Sequence, residues 1–162
     1  MLNSILTESY FSKYTRLTPK AQQIRDAANF LCDTLCRHFS RNEYRQSGLA
    51  FTAVDNTDIL YSIATPFRPA RIRLDWRIEE NELIGLAIVE RRYVQGDGVE
   101  FWQPVYEVLV PSSTDNPIVA LTDGGKFQIQ LRTGSDEGHY LSVQALGLSI
   151  YRAIINGPEQ PQ

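Results

Sequence analysis

Cysteine, histidine, lysine and methionine are all scarce in this 162-residue chain: two Cys, two His, three Lys and one Met. The shortage of cysteine and histidine removes two classes of protein. Two cysteines, Cys32 and Cys36, cannot staple a secreted disulfide scaffold. They sit four apart in a helical pattern, so both can project from one helix face, but His38 points to a different side of that helix. A zinc site needs about four ligands, and the other histidine, His139, is far along the chain. Two cysteines packing as small hydrophobes is the simpler reading. No metal and no cofactor is expected.

Signature loops are missing too. Gly-x-Ser-x-Gly, Gly-x-x-x-x-Gly-Lys-Ser/Thr and Gly-x-Gly-x-x-Gly do not occur. Neither Glu-x-Lys nor Asp-x-Lys is present. His38-Phe39-Ser40 matches half of a twin-histidine phosphoesterase pattern, but His139-Tyr140-Leu141 does not supply the other half. No catalytic residue is therefore nominated. No apolar run approaches the ~20 residues of a membrane span. Residues Met1–Glu8 lack a basic, apolar leader. A cytoplasmic protein without a membrane is expected. The net charge of −3 and pI near 5.4 argue against bulk nucleic-acid binding, because phosphate binding asks for a basic excess.

What is present is patterned. Leu2, Ile5, Leu6 and Tyr10 have helical spacing, which predicts a short helix over residues 2–14. Thr18-Pro19 has the form of an N-cap and first helical residue. Ile24, Ala28, Leu31, Leu35 and Phe39 then repeat at three and four, predicting a helix of about six turns. After Gly48 the period changes to two. Strands are predicted over 49–54 and 58–64, joined by Asp55-Asn56-Thr57. From Arg71 to Ile78 the alternation is strict, with Ile72, Leu74, Trp76 and Ile78 on one face and Arg71, Arg73, Asp75 and Arg77 on the other.

Residues 83–90 are apolar on both faces, as in a central covered strand. Gln95-Gly96-Asp97-Gly98 predicts a hairpin turn into a strand over 99–110. Pro104 inside that strand asks for an edge or a bulge. A further hairpin, 118–121 with 126–132, crosses Asp123-Gly124-Gly125. A second helix is expected from Ser135-Asp136-Glu137, with Val143, Leu146, Ile150 and Ile154 buried and Gly157-Pro158 as its stop. The expectation is one α+β domain over residues 1–157: an N-terminal helical segment, a twisted antiparallel sheet of about six strands, and a C-terminal helix packed on the sheet. A polar tail, 158–162, follows.

A two-residue turn at Glu80-Asn81 sets Ile84, Leu86 and Ile88 on the face of Arg71, Arg73 and Arg77. An apolar strip beside an Arg stripe resembles an interface core with a polar rim; a curled sheet or barrel would instead bury the strip. Thirteen of the sixteen basic residues are Arg, the side chain suited to bidentate pairing and stacking. Arg71, Arg73, Arg77, Arg91, Arg92 and Trp102 are thus the candidate partner-binding set, with Tyr93 as a further stacking ring. The plainer alternative is a solvated face on which Asp75 and Glu90 pair across strands.

Three functions follow. The first is a non-enzymatic protein-interaction module (adaptor, chaperone-like, inhibitor or immunity-type, or assembly subunit), its partner carrying an acidic surface or being a second copy. The second is a small-molecule-binding protein or enzyme with a pocket in the concave sheet, using Trp76 and Tyr106 with Arg73 and Arg77. The third is local nucleic-acid binding through the Arg stripe.

Overall fold

The computed structural model describes residues 15–55, 58–112, 118–122, 127–131 and 140–158. The predicted helix over 2–14, the Ser135–Glu137 helix start, the Asp123-Gly124-Gly125 turn, Asn56-Thr57 and residues 159–162 lie outside the described residues. Helix α1 spans Leu17–Phe39. It begins before the expected Thr18 cap: Arg16 is the capping residue and makes no side-chain cap bond. The reason is that the first four N–H groups of a helix need no intrahelical acceptor, so Pro19 fits the third position as well as the first. Arg37 and His38 occupy the last turn, at the negative end of the helix dipole. A short 3-10 helix, Asn42–Ser47, leads into the sheet.

The sheet has seven strands: β1 (Ala50–Ala53), β2 (Ile59–Ala64), β3 (Ala70–Glu79), β4 (Glu82–Val94), β5 (Glu100–Pro111), β6 (Ile118–Thr122) and β7 (Phe127–Leu131). Every stretch named from sequence forms a strand, so the count is seven rather than about six. They lie in chain order, each antiparallel to the next, as short turns require. β1 and β7 are its two edges, so the sheet is open among the described residues and does not close into a barrel. Glu80 and Asn81 have φ of 48° and 69°, the left-handed pair of a type I′ turn. That turn sets Glu79 opposite Glu82 and carries the register along the hairpin.

Pro104 answers both of its allowed roles. The β4–β5 register skips Val105, between Tyr106 opposite Val89 and Pro104 opposite Glu90, which is a bulge. β6 pairs with β5 only at Val108 and Leu109, so the Pro104 end of β5 has no second neighbour strand among the described residues.

Helix α2, Tyr140–Asn156, packs beside α1 on one face of the sheet. Its stripe Val143, Leu146, Ile150 and Ile154 is buried, in one core cluster with Ile24, Leu31 and Leu35 of α1 and with Ile72, Leu74, Ala87, Val89, Val108 and Val110 of the sheet. Burial of such side chains stabilises by roughly 1.5–3 kcal/mol each. Two glycines set the spacing. A Cβ on Gly85 would lie 2.2 Å from Ile24 Cγ2, and one on Gly147 would lie 2.0 Å from the Phe39 ring. Gly157 ends α2, donating its N–H to Ala153 O at 2.8 Å.

Candidate interaction face

The side of the sheet turned away from the helices carries the Arg stripe. Along the β3–β4 hairpin, Arg71 stands opposite Glu90, Arg73 opposite Ile88, Asp75 opposite Leu86 and Arg77 opposite Ile84. The apolar strip and the Arg stripe therefore share a face. Leu86 and Ile88 are buried yet lie outside the main core cluster, while Ile84 is half-buried.

The stripe is held by carboxylates of its own chain. Glu90 is buried and accepts from Arg71 Nε at 2.7 Å and Arg73 Nε at 2.9 Å. Arg73 Nη1 also donates to Asp75 Oδ2 at 3.0 Å, and Arg77 Nε meets Glu79 Oε1 at 2.6 Å. A buried carboxylate is tolerated when charge-assisted donors reach both its oxygens, as two guanidiniums do here. The bond to Glu90 is the main cause that raises the Arg73 pKa. The Trp76 backbone N–H, then Arg73, hold the Asp75 carboxyl below its ordinary value. Arg71 also lies over the Trp102 ring, 4.2 Å from its centroid, within cation–π range. Of the two acidic residues expected to pair across strands, Glu90 does so, whereas Asp75 pairs with Arg73 within β3; Arg71 lies on Trp102 as the stacking expectation has it.

Not every nominated residue joins this face. Arg92 does: it pairs opposite Trp102, is exposed, and lies 4.0 Å from Glu100. Arg91 does not. It points to the helix side, where it is buried, donates through Nε to Gln103 Oε1 at 3.1 Å and through Nη1 to the carbonyls of Ile154 and Ile155 at 3.3 and 3.4 Å. It satisfies the last turn of α2, whose carbonyls have no intrahelical donor. Burial, then Arg68, lowers its pKa. Strand alternation is the reason: neighbours in β4 face opposite ways. Tyr93 also leaves the stripe, lying against Phe101 at 5.0 Å and under Arg68 at 5.7 Å.

The expected pocket is not assembled. Trp76 stands opposite Gly85 and Tyr106 opposite Val89, about 13 Å apart along β4 at the strand rise. Both pack against the core, Trp76 under Arg25 at 5.7 Å and Tyr106 bonded to Thr122 Oγ1 at 2.7 Å. Arg73 and Arg77 are on the other side of the sheet.

The cysteines are packing residues. Cys32 is buried, and desolvation pushes its thiol pKa upward, away from the reactive thiolate. Cys36 Sγ donates to Phe51 O at 3.1 Å. His38 lies instead against the Phe39 and Tyr44 rings, at 5.0 and 4.8 Å. Among the described residues no three His, Cys, Asp or Glu side chains are grouped as metal ligands, and no helix is long and apolar enough to cross a membrane. At the β3–β4 turn, where Glu79, Glu80 and Glu82 cluster, Glu82 accepts from Lys20 Nζ at 3.0 Å and Glu79 pairs with Arg77.

No protein-family model, curated protein or solved structure matches this chain, so the candidate face rests on its own geometry.

Proposed function

We propose that this protein is a non-enzymatic protein-interaction module that presents the outer face of its sheet to a partner. One observation supports this above others: both helices pack on the same side, and the opposite side carries an Arg array already held in place by a buried carboxylate. Arg71 and Arg73 are fixed by Glu90, and Arg71 is stacked on Trp102. A guanidinium has five N–H donors, more than one carboxylate takes up. Ordering these long side chains in advance lowers the entropy lost when a partner binds. Trp and Arg are also the side chains that most often carry interface energy. The partner surface that fits offers carboxylates or carbonyls to the array and an apolar edge to Ile84.

The test is affinity capture from the native source with Arg77→Glu/Arg92→Glu beside wild type. Both positions are exposed, so the fold tolerates the change. A stoichiometric partner captured by wild type, lost with the double variant and kept by the exposed α1 control Arg37→Glu supports the reading. Equal capture by all three, or no partner at all, overturns it.

A further inference from the structure

The outward side of α2 is apolar where water should select polar residues. The exposed positions are Leu141, Ala145, Leu148, Arg152 and Ile155, followed by the terminal Asn156. Leu141 is 78% exposed, Leu148 48% and Ile155 40%. The opposite stripe, Val143, Leu146, Ile150 and Ile154, is already spent on the core. A helix lying on a domain surface normally turns charged and polar residues outward, and this one turns out a single charge.

The spacing says what fits there. From Leu141 to Ile155 the exposed positions step by four, three, four and three, which lines them up along one side of the helix as a straight strip against which a second helix can lie. Phe67, 61% exposed, widens the strip from the side, its ring 6.1 Å from that of Tyr151. Together the four large apolar side chains expose on the order of 400 Å², a patch size at which a partner is the ordinary explanation.

We infer that this face is the contact surface of a homodimer in which α2 of one copy packs antiparallel against α2 of a second. A strip of this kind can lie against its own copy, so a two-fold axis closes it with no other partner. Charge and shape choose the direction. In a parallel pair Arg152 would face Arg152 of the second copy inside a desolvated seam. In an antiparallel pair centred near Leu148, Arg152 faces Ala145, whose single methyl leaves room for the guanidinium to run to the rim. The two arginines then stand about 10 Å apart along the axis, at the helical rise. The four apolar side chains of each copy give on the order of 800 Å² in total for the pair, the size of a weak, transient contact. The dimer therefore dissociates on dilution. It leaves both sheet faces pointing outward and is independent of what those faces bind.

The test is sedimentation velocity on purified protein across the micromolar range, with Leu148→Glu as the variant. The expected result is a mass rising from 18.4 kDa toward twice that value for wild type. Leu148→Glu stays at the monomer mass with an unchanged melting curve at low concentration. Disulfide trapping reads the direction. Leu148→Cys, beside the axis, cross-links under oxidation, whereas Leu141→Cys, more than one helical turn from the axis, does not. A wild type that stays monomeric throughout overturns the proposal, including one that instead floats with anionic lipid vesicles. A dimer untouched by Leu148→Glu overturns it as well, and cross-linking by both cysteine variants overturns the antiparallel arrangement.

Discussion

Glu90 and Arg91 are neighbours in sequence with unlike tasks. Glu90 goes to the outer face and neutralises two guanidiniums; Arg91 goes to the inner face and closes the end of α2. Both are buried, so each matters more than its charge alone suggests. Replacing Glu90 by Gln leaves Arg71 and Arg73 without their shared counter-charge. Both arginines keep about a quarter of their side-chain surface in water (27% and 28%), so the loss is smaller than for a fully buried pair. The expected cost is about 1–3 kcal/mol, read as a lower urea midpoint with unchanged slope. A cost near zero would mean that solvent screens the pair and that the array is not held in place as described.

At the scale of elements, close approach of helices and sheet decides more than propensity does. Gly147→Ala shows the contest. Alanine is the better helix former by about 1 kcal/mol, and an exposed glycine would gain from the change. Here the new Cβ falls 2.0 Å from the Phe39 ring, in a core where overpacking costs typically 1–3 kcal/mol. The net expectation is destabilisation by about 1 kcal/mol, the difference between a mid-range overpacking cost and the propensity gain, measured as a drop in melting temperature. Pairing the change with Phe39→Leu, which vacates the ring, is expected to return part of it. A gain in stability from the single change would show that α1 and α2 lie further apart than this packing states.

At the scale of the whole molecule, two layers give two unlike sides: an outer sheet face with paired arginines, and a helical side with an apolar stripe. Stability of the whole also depends on pH through His38. Burial first and Arg41 second lower its pKa, with Glu43 opposing. The folded chain therefore holds the neutral ring while the unfolded chain takes up a proton near its ordinary pKa of about 6.5. The unfolded state binds more protons below that pH, so stability falls as pH drops from about 6.5 toward the lowered folded value. Urea unfolding at steps from neutral to mildly acidic pH is expected to show this decline, with a flatter slope in His38→Phe. An identical slope in both proteins would assign the decline to carboxylates instead.

Local pattern and short-range turn chemistry were enough for the sequence to determine the elements and much of the register. The strict alternation of Arg71–Ile78, the doubly apolar run of β4, and a two-residue turn at Glu80-Asn81 together set Arg71, Arg73 and Arg77 beside Ile84, Leu86 and Ile88, because a period of two leaves no other pairing. The α2 core stripe was legible for the same reason at a period of 3.6. Three things were left to the tertiary structure. One is which arginines work together: alternation along β4 parts Arg91 from Arg92, and the side of the sheet taken by α2 makes Arg91 the one that meets a helix end and leaves Arg92 on the open face. Another is that the stripe is already paired, which depends on how deeply Glu90 is buried. The last is that the far side of α2 stays uncovered. Apolar periodicity says that a face avoids water, but only the packing of α1, α2 and the sheet shows which face the core has used and which is left for a partner.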